Sequence, residues 1–305
     1  MPPAVVRYGD TAGDFRGFFV QPGSGGLDNP QSLAFGPDGN LYVSSFGSRN
    51  ILKYDGVTGA ALSVFVLPGA GGLGAPNQIT FGPDGDLYVS DGFYGTNSVL
   101  RFSGQTGAFL GVFAAGGGLT VPGALTFGHD GSLYVTSVLT RSVLRYTSAG
   151  RPEPSLGQSG AVLIPDPGII NGRLAFGPNG NLFLTSDISD EVREYDPSTG
   201  AFIRTFVAPG SGGLTVPLDL AFGPDSNLYV DDYLSGSVLR YNGTTGDFID
   251  IFASPGSQGL GRVTAIAFTP VPEPPSFTFL AIGLAGLASV WFRNRLNART
   301  SPHQR

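Results

Sequence analysis

Few side chains in this sequence could do acid–base or metal chemistry: two histidines, no cysteine and a scatter of acids among 305 residues. His129 stands in a Gly-His-Asp-Gly turn where sister phrases carry proline, and His303 sits in a basic C-terminal stretch. Neither has the neighbours of a histidine base or a zinc ligand, and the absence of cysteine excludes disulfides and thiolate metal sites. The acids offer more. Asp91 and Asp232 each close an apolar run, Asp231 precedes Asp232, and Asn77 and Asp219 open such runs. A hard cation needs several convergent oxygens, which makes Asp91, Asp219 and Asp232 the candidate metal ligands, with Asn77 and Asp231 beside them. The competing explanation is structural. Asp at the end of a strand bonds the backbone of a nearby loop, and Arg173 is placed to pair with Asp219 on the next repeat. The expectation is therefore no catalytic residue and no cofactor, with Ca2+ as the one ion such oxygens would take.

The elements that must hold these residues are repeats. Phe-Gly-Pro-Asp-Gly begins at Phe35 and Phe81, and variants begin at Phe127, Phe176, Phe222 and Phe268, at intervals of 46, 46, 49, 46 and 46 residues. A second phrase recurs in phase and ends at Tyr8, Tyr54, Phe102, Tyr146, Tyr195 and Tyr241. Thr-Gly turns and Pro-Gly-Ser-Gly-Gly-Leu linkers complete the unit. Each unit reads as four short strands: one ending in Leu-Ala-Phe, a Gly-Pro-Asp-Gly turn, Leu-Tyr-Val-Ser, then Val-Leu-Arg-Tyr, then an outer strand. Apolar residues on both faces imply sheets stacked on sheets. Four strands in roughly 40 to 50 residues is the propeller signature.

The expected fold is all-β, a six-bladed β-propeller over residues 1–270. Five units are complete, and the sixth blade is shared by both termini: a first strand near Thr264 to Thr269, and third and fourth strands over Val5 to Val20. That blade lacks a strand of the Leu-Tyr-Val-Ser type, which leads to the expectation that such a strand and an export segment precede Met1. The unit over Thr147 to Arg173 loses its Thr-Gly turn and reads as either a tolerated loop variation or a ligand-facing loop. The column Tyr42, Tyr88, Tyr134 and Tyr229 reads as inter-blade core. The Gly-rich linkers lack the Lys-Ser/Thr end and helix of a phosphate loop.

Composition narrows the partners. Glycine (48) and proline (24) punctuate turns, charged residues make up 13%, and the net charge is −6. Four of the 17 basic residues follow Glu273 with no acid after it, so the repeat body is more acidic than the total. Such a body repels phosphate backbones, which excludes nucleic acid as a partner. No basic flank and apolar run of a signal peptide is visible at the start.

Residues 271–305 break the pattern. Val271-Pro272-Glu273-Pro274 leads into an uncharged run over Ser276 to Phe292, then Arg293 and Arg295. The expected element is a transmembrane helix at about 277–292, with the arginines as the basic stop on the cytoplasmic side. This tail resembles the PEP-CTERM sorting signal of exopolysaccharide-producing Gram-negative bacteria, with Pro272, Glu273 and Pro274 as the sorting motif. It departs in having Pro275 where a small hydroxyl residue is common. The resemblance implies recognition by an exosortase-type enzyme, an inner-membrane anchor before processing, and release to the cell surface or extracellular matrix.

The repeats resemble the NHL family of propellers and, more loosely, the streptogramin lyases and gluconolactonases. What the lactonase likeness implies is a cation held at the channel mouth. The positions to watch there are Ser32, Gln78, Ala124, Arg173, Asp219 and Ala265 before or within the first strands. Ser45, Asp91, Ser137, Ser186 and Asp232 close the second strands. The functional expectation is an exported, non-enzymatic binding platform for polysaccharide or an envelope protein. The alternative is a propeller hydrolase or lyase of lactonase or streptogramin-lyase type with a divalent cation.

Overall fold

The computed structural model describes residues 3–9, 13–92, 95–168, 172–254 and 262–269, and the backbone of 278–284. Five regular blades are each an antiparallel sheet of four consecutive strands, running Pro30 to Val66, Pro76 to Ala114, Pro122 to Pro165, Leu174 to Val207 and Pro217 to Ala253. These are numbered one to five below. Both chain ends build a further four-stranded sheet. Its order is Phe15–Val20, Ala4–Gly9, Thr278–Leu284, Arg262–Phe268. The first strands of the blades and of this closing sheet neighbour one another in an unbroken ring. The fold is thus an all-β propeller with four-stranded blades.

The expected count of six blades, the sixth shared by both termini, needs correction. Five blades are regular, and the closing sheet is a composite. Its second-strand place is filled by Thr278–Leu284, which pairs antiparallel with Ala4–Gly9 on one side and Arg262–Phe268 on the other. The expected transmembrane helix at about 277–292 is therefore replaced over these residues by a strand, and no described helix is long and apolar enough to cross a membrane. Thr278-Phe279-Leu280-Ala281-Ile282 is rich in β-branched and large apolar residues. These suit a strand buried on both faces as well as they suit a bilayer. An apolar run alone does not separate the two. Pro272, Glu273, Pro274, Arg293 and Arg295 lie outside the described residues.

Two aromatic rings clasp each blade to the next. The second-strand ring of one blade meets the phenylalanine closing the next first strand, edge to face: Tyr42 with Phe81 at 4.9 Å, Tyr88 with Phe127 at 4.7 Å, and Tyr229 with Phe268 at 4.9 Å between centroids. Phe183 replaces tyrosine in blade four and meets Phe222 at 5.0 Å. Such pairs contribute about 0.5–1.5 kcal/mol beyond their area. The tyrosine column is thus inter-blade core. The Gly-rich linkers form single 3-10 turns, and third-strand tyrosines pin them: Tyr54 and Tyr241 donate to the carbonyl oxygens of Ser24 and Ser211, both at 2.8 Å.

The irregular stretch of blade three folds onto that blade's outer side. Tyr146 bridges Pro152, Glu153 N–H donates to the Arg145 carbonyl, and Val162–Pro165 is the fourth strand. Its described part faces away from the ring of first strands.

Candidate active site

The site grows out of a bulge. At the start of the first strands in blades one, two, three and five, the pairing register skips between a proline and the residues that follow: Pro30 to Ser32, Pro76 to Ile79, Pro122 to Leu125 and Pro217 to Leu220. A bulge bends the strand and re-aims a side chain. Here the re-aimed residues are the column named above, and they tie one blade to the next. Ile79 N–H donates to Ser32 Oγ (3.3 Å), Leu125 N–H to Gln78 Oε1 (3.2 Å), and Ile266 N–H to Asp219 Oδ2 (2.8 Å).

Opposite each bulge the second strand ends in a polar doublet: Ser44-Ser45, Ser90-Asp91, Thr136-Ser137, Thr185-Ser186 and Asp231-Asp232, all buried. The first member caps the bulge. Gln78 N–H donates to Ser90 Oγ (2.9 Å), Ala124 N–H to Thr136 Oγ1 (2.7 Å), and Arg173 N–H to Thr185 Oγ1 (2.8 Å). In blade five Asp231 does the same work with one oxygen, Oδ1 accepting from both Leu218 N–H (3.0 Å) and Asp219 N–H. The second member caps the loop before the first strand. Asp91 Oδ1 accepts from Gly74 and Ala75 N–H while Oδ2 accepts from Thr96 N–H. Asp232 accepts from Thr215 and Val216 N–H.

The three metal candidates are consequently not brought together. Asp91 and Asp232 are occupied by backbone amides on opposite blades, and only Asp219 faces the axis. Among the described residues no three of His, Cys, Asp and Glu gather as a metal group. Asp219 carries an amide on each oxygen, from Leu220 (3.0 Å) and Ile266, and a guanidinium shares its surroundings. A dication would meet a single one of the three candidate carboxylates beside a fixed positive charge, so these residues do not fit the divalent cation that the lactonase likeness implies.

What the fold does gather is Arg173, Asp219 and Asp231. Arg173 leaves blade four and crosses the axis. Its Nη1 donates to Gln78 Oε1 on blade two (3.0 Å), and its Nη2 to the Gln31 carbonyl oxygen on blade one (3.1 Å). Arg173 and Asp219 are 8% and 7% exposed and Asp231 is 0% exposed. Arg173 and Asp219 do not form the direct ion pair expected from the sequence, and act on each other through their charges. Burial drives the Asp231 carboxyl well above the usual carboxylate range, and the Asp219 charge pushes the same way. Burial also raises Asp219, opposed by Arg173 and by the two amides. Loss of water lowers Arg173 itself. Two acids against one cation favour one proton between the acids, held by Asp231. Its Oδ1 accepts two amides, so the proton belongs on Oδ2, the buried oxygen that has no hydrogen-bond partner. The arrangement is a carboxylic acid, a carboxylate and a guanidinium in a water-poor space, which can donate a proton, accept one and stabilise an oxyanion.

Asp231 matters more here than its neighbour Asp232, and Gln31, whose carbonyl oxygen receives Arg173, is not among the residues that the sequence singles out. Two signals are legible: Asp231-Asp232 is the only one of the five doublets whose first member is an acid, and proline two residues before Ser32, Gln78, Ala124 and Asp219 marks the bulge, a mark that Arg173 lacks. His129 lies in the turn at the other end of its blade, edge-on to Phe176.

No family model matches the chain, and no curated protein matches it. Its structural neighbours are propellers. A gluconolactonase from Xanthomonas campestris is 16% identical, with 92% of this chain and 95% of that one covered at a TM-score of 0.62. A virginiamycin B lyase from Staphylococcus aureus is 16% identical, covering 87% and 78% at 0.54. A nidogen/laminin complex is 15% identical, covering 93% and 100% at 0.64. These identities establish the propeller fold. The expectation of a propeller without catalysis is corrected at this point, because the neighbours that share the architecture include a lactonase and a lyase.

Proposed function

We propose that this chain is a hydrolytic propeller of the lactonase type whose reaction centre is Arg173, Asp219 and Asp231. The observation that carries the reading is the unpartnered Oδ2 of Asp231 beside an axial guanidinium. In a lactone, the guanidinium would stabilise the negative charge that develops on the carbonyl oxygen. Asp219 would take a proton from the attacking water as its oxygen bonds to the acyl carbon. As the ring C–O bond breaks, Asp231 would give its proton to the departing alkoxide. The product is a hydroxy acid, and the proton on Asp219 returns Asp231 to its starting state through solvent. No step passes through a metal ion.

The test is a pH-stat assay of the full chain on γ- and δ-lactones of sugar acids, with and without EDTA, and with a streptogramin B depsipeptide as a lyase control. Lactone hydrolysis that EDTA leaves unchanged, and that falls about 10²- to 10⁴-fold in Asp231→Asn, is the expected result. Hydrolysis equal in wild type and variant overturns it. Turnover of the depsipeptide alone transfers the same three residues to a lyase.

Export and exosortase sorting belong to the proposal too. They rest on Pro272-Glu273-Pro274, Arg293 and Arg295 in the sequence. Cell fractionation of a host expressing the chain with and without residues 271–274 tests them: identical fractions would remove this part.

A further inference from the structure

The closing sheet departs from the regular blades at one strand. Its register aligns with theirs without ambiguity: Ala265 pairs with Ile282 and Val263 with Gly283, where blade one pairs Ser32 with Ser44 and Pro30 with Ser45. The bulge residue is Thr264. Phe279, Leu280 and Ala281 stand at the positions of Leu41, Tyr42 and Val43, so the apolar half of the strand is reproduced. The polar doublet is not. Ile282 and Gly283 occupy the two places that all five regular blades fill with Ser, Thr or Asp. Leu280 occupies the place that they fill with Tyr or Phe.

The same bulge leaves a buried polar group at Thr264 without a partner. In blades two to five the first doublet residue caps the bulge amides, and in blades one and four it donates onward, Ser44 to the Asn77 carbonyl (2.7 Å) and Thr185 to the Leu218 carbonyl (2.7 Å). Thr264 is buried at 4% exposure, and its Oγ1 has no hydrogen-bond partner. A buried hydroxyl left unsatisfied is unfavourable, and the residue type paired across this bulge, isoleucine at 282, is apolar.

We propose that the gap between Ala4–Gly9 and Arg262–Phe268 is a strand-acceptor site. Its fitting occupant is an extended polypeptide segment of the pattern Leu-Tyr-Val-Ser/Thr-Ser/Asp, with Thr278–Leu284 as an exchangeable filler. Strand addition takes its affinity from main-chain hydrogen bonds and its specificity from alternate side chains. Both halves are defined here. Six consecutive residues of Ala4–Gly9 already pair with the filler, and the side-chain pattern is written in full in blades one, two and three, with Leu-Phe-Leu-Thr-Ser and Leu-Tyr-Val-Asp-Asp as its variants in blades four and five. A segment with the doublet would present a hydroxyl at the register of Ile282, beside the Thr264 bulge. It would also place a tyrosine where it can meet Phe35, the counterpart of Phe81 in the clasp.

The test uses the full chain and a fluorescent peptide with the sequence of residues 40–46, read by anisotropy. A control peptide carries alanine at both serine positions. The serine peptide should bind about tenfold more tightly than the control, the ratio expected for one or two hydrogen bonds. Binding should tighten further in Ala281→Pro, where proline removes ladder bonds from the filler. Equal binding of the two peptides, or no binding to either wild type or Ala281→Pro, overturns the proposal. A second measurement needs no peptide. Ile282→Thr restores the hydroxyl within the filler and should raise Tm by about 2 °C. An unchanged or lower Tm overturns it independently.

Discussion

Arg173 and Gln31 sit on blades that face each other across the ring, and Arg173 Nη2 donates to the Gln31 carbonyl oxygen at 3.1 Å. A single side chain thereby spans the axis and brings a guanidinium against Asp219 and Asp231. That charge offsets what two buried acids would otherwise do to each other. Replacing it by a shape-matched neutral group should expose the cost as a pH effect. In Arg173→Met both carboxyls lose their cation, so their protonated forms are favoured further in the folded state. A carboxyl raised above its unfolded value stabilises the fold at low pH, and that contribution disappears as pH rises through the folded value. The Tm deficit of Arg173→Met against wild type should therefore be larger at pH 8 than at pH 5. A deficit independent of pH would mean that the guanidinium acts only as packing.

Asp231→Asn separates chemistry from stability. Asparagine keeps an oxygen for the Leu218 and Asp219 amides and places a neutral NH2 where the acid holds its proton. Asp231 is raised in the folded state by burial and by the Asp219 charge, so wild type loses this stabilisation as pH rises and the asparagine variant does not. Its Tm should equal wild type at low pH and exceed it at high pH. Lactone hydrolysis should be lost throughout. The wild-type rate should also fall on the alkaline side as Asp231 ionises, and a rate that climbs steadily with pH would exclude Asp231 as the proton donor.

Much of this architecture is legible in the residues, and the part that is not has a physical cause. The 46-residue interval, the strand phrases and the aromatic column all report local backbone chemistry, so each maps onto a strand, a turn or a clasp. The pairing of Asp84 with Tyr88 is matched by the joint change to Asn179 and Phe183. Tyr88 Oη donates to Asp84 Oδ2 (2.8 Å), and where the hydroxyl is gone the amide of Asn179 turns to Glu194 instead. Arg173, Gln78 and Gln31 are different. They lie 142 residues apart at the extreme and meet only because a ring closes. The tail misleads for a second reason: Phe279 to Ile282 is apolar enough for a bilayer and for a two-sided core, and hydropathy does not encode which receives it.

Asp219 carries a structural duty that a purely catalytic residue would not have. Its Oδ2 accepts the Ile266 amide of the closing sheet at 2.8 Å, across the seam between blade five and that sheet. Asp219→Ala should leave that buried N–H without an acceptor and cost about 1–3 kcal/mol by denaturant unfolding. Asp219→Asn keeps an acceptor oxygen and should hold most of the stability while losing the base. Stability lost equally in both would point to the charge, and not the hydrogen bond, as what seals the seam.

Ser226 tests the turn chemistry at a single position. The four sister turns put glycine there, and Gly39, Gly85, Gly131 and Gly180 have φ between 75° and 80°. Ser226 holds the same left-handed backbone at φ 62° with a Cβ attached. That conformation costs an L-residue about 1–2 kcal/mol, and glycine avoids the cost while giving back about 0.5–1 kcal/mol of unfolded-chain entropy. Ser226→Gly should thus gain up to about 1 kcal/mol and raise Tm by about 2–4 °C. The reverse change, Gly180→Ser, should lower Tm by a similar amount. Because both turns lie at the end of the blade away from Arg173, neither variant should alter lactone hydrolysis. A Tm that moves the same way in both would show that the turn tolerates the side chain and that blade packing, not backbone strain, sets the effect.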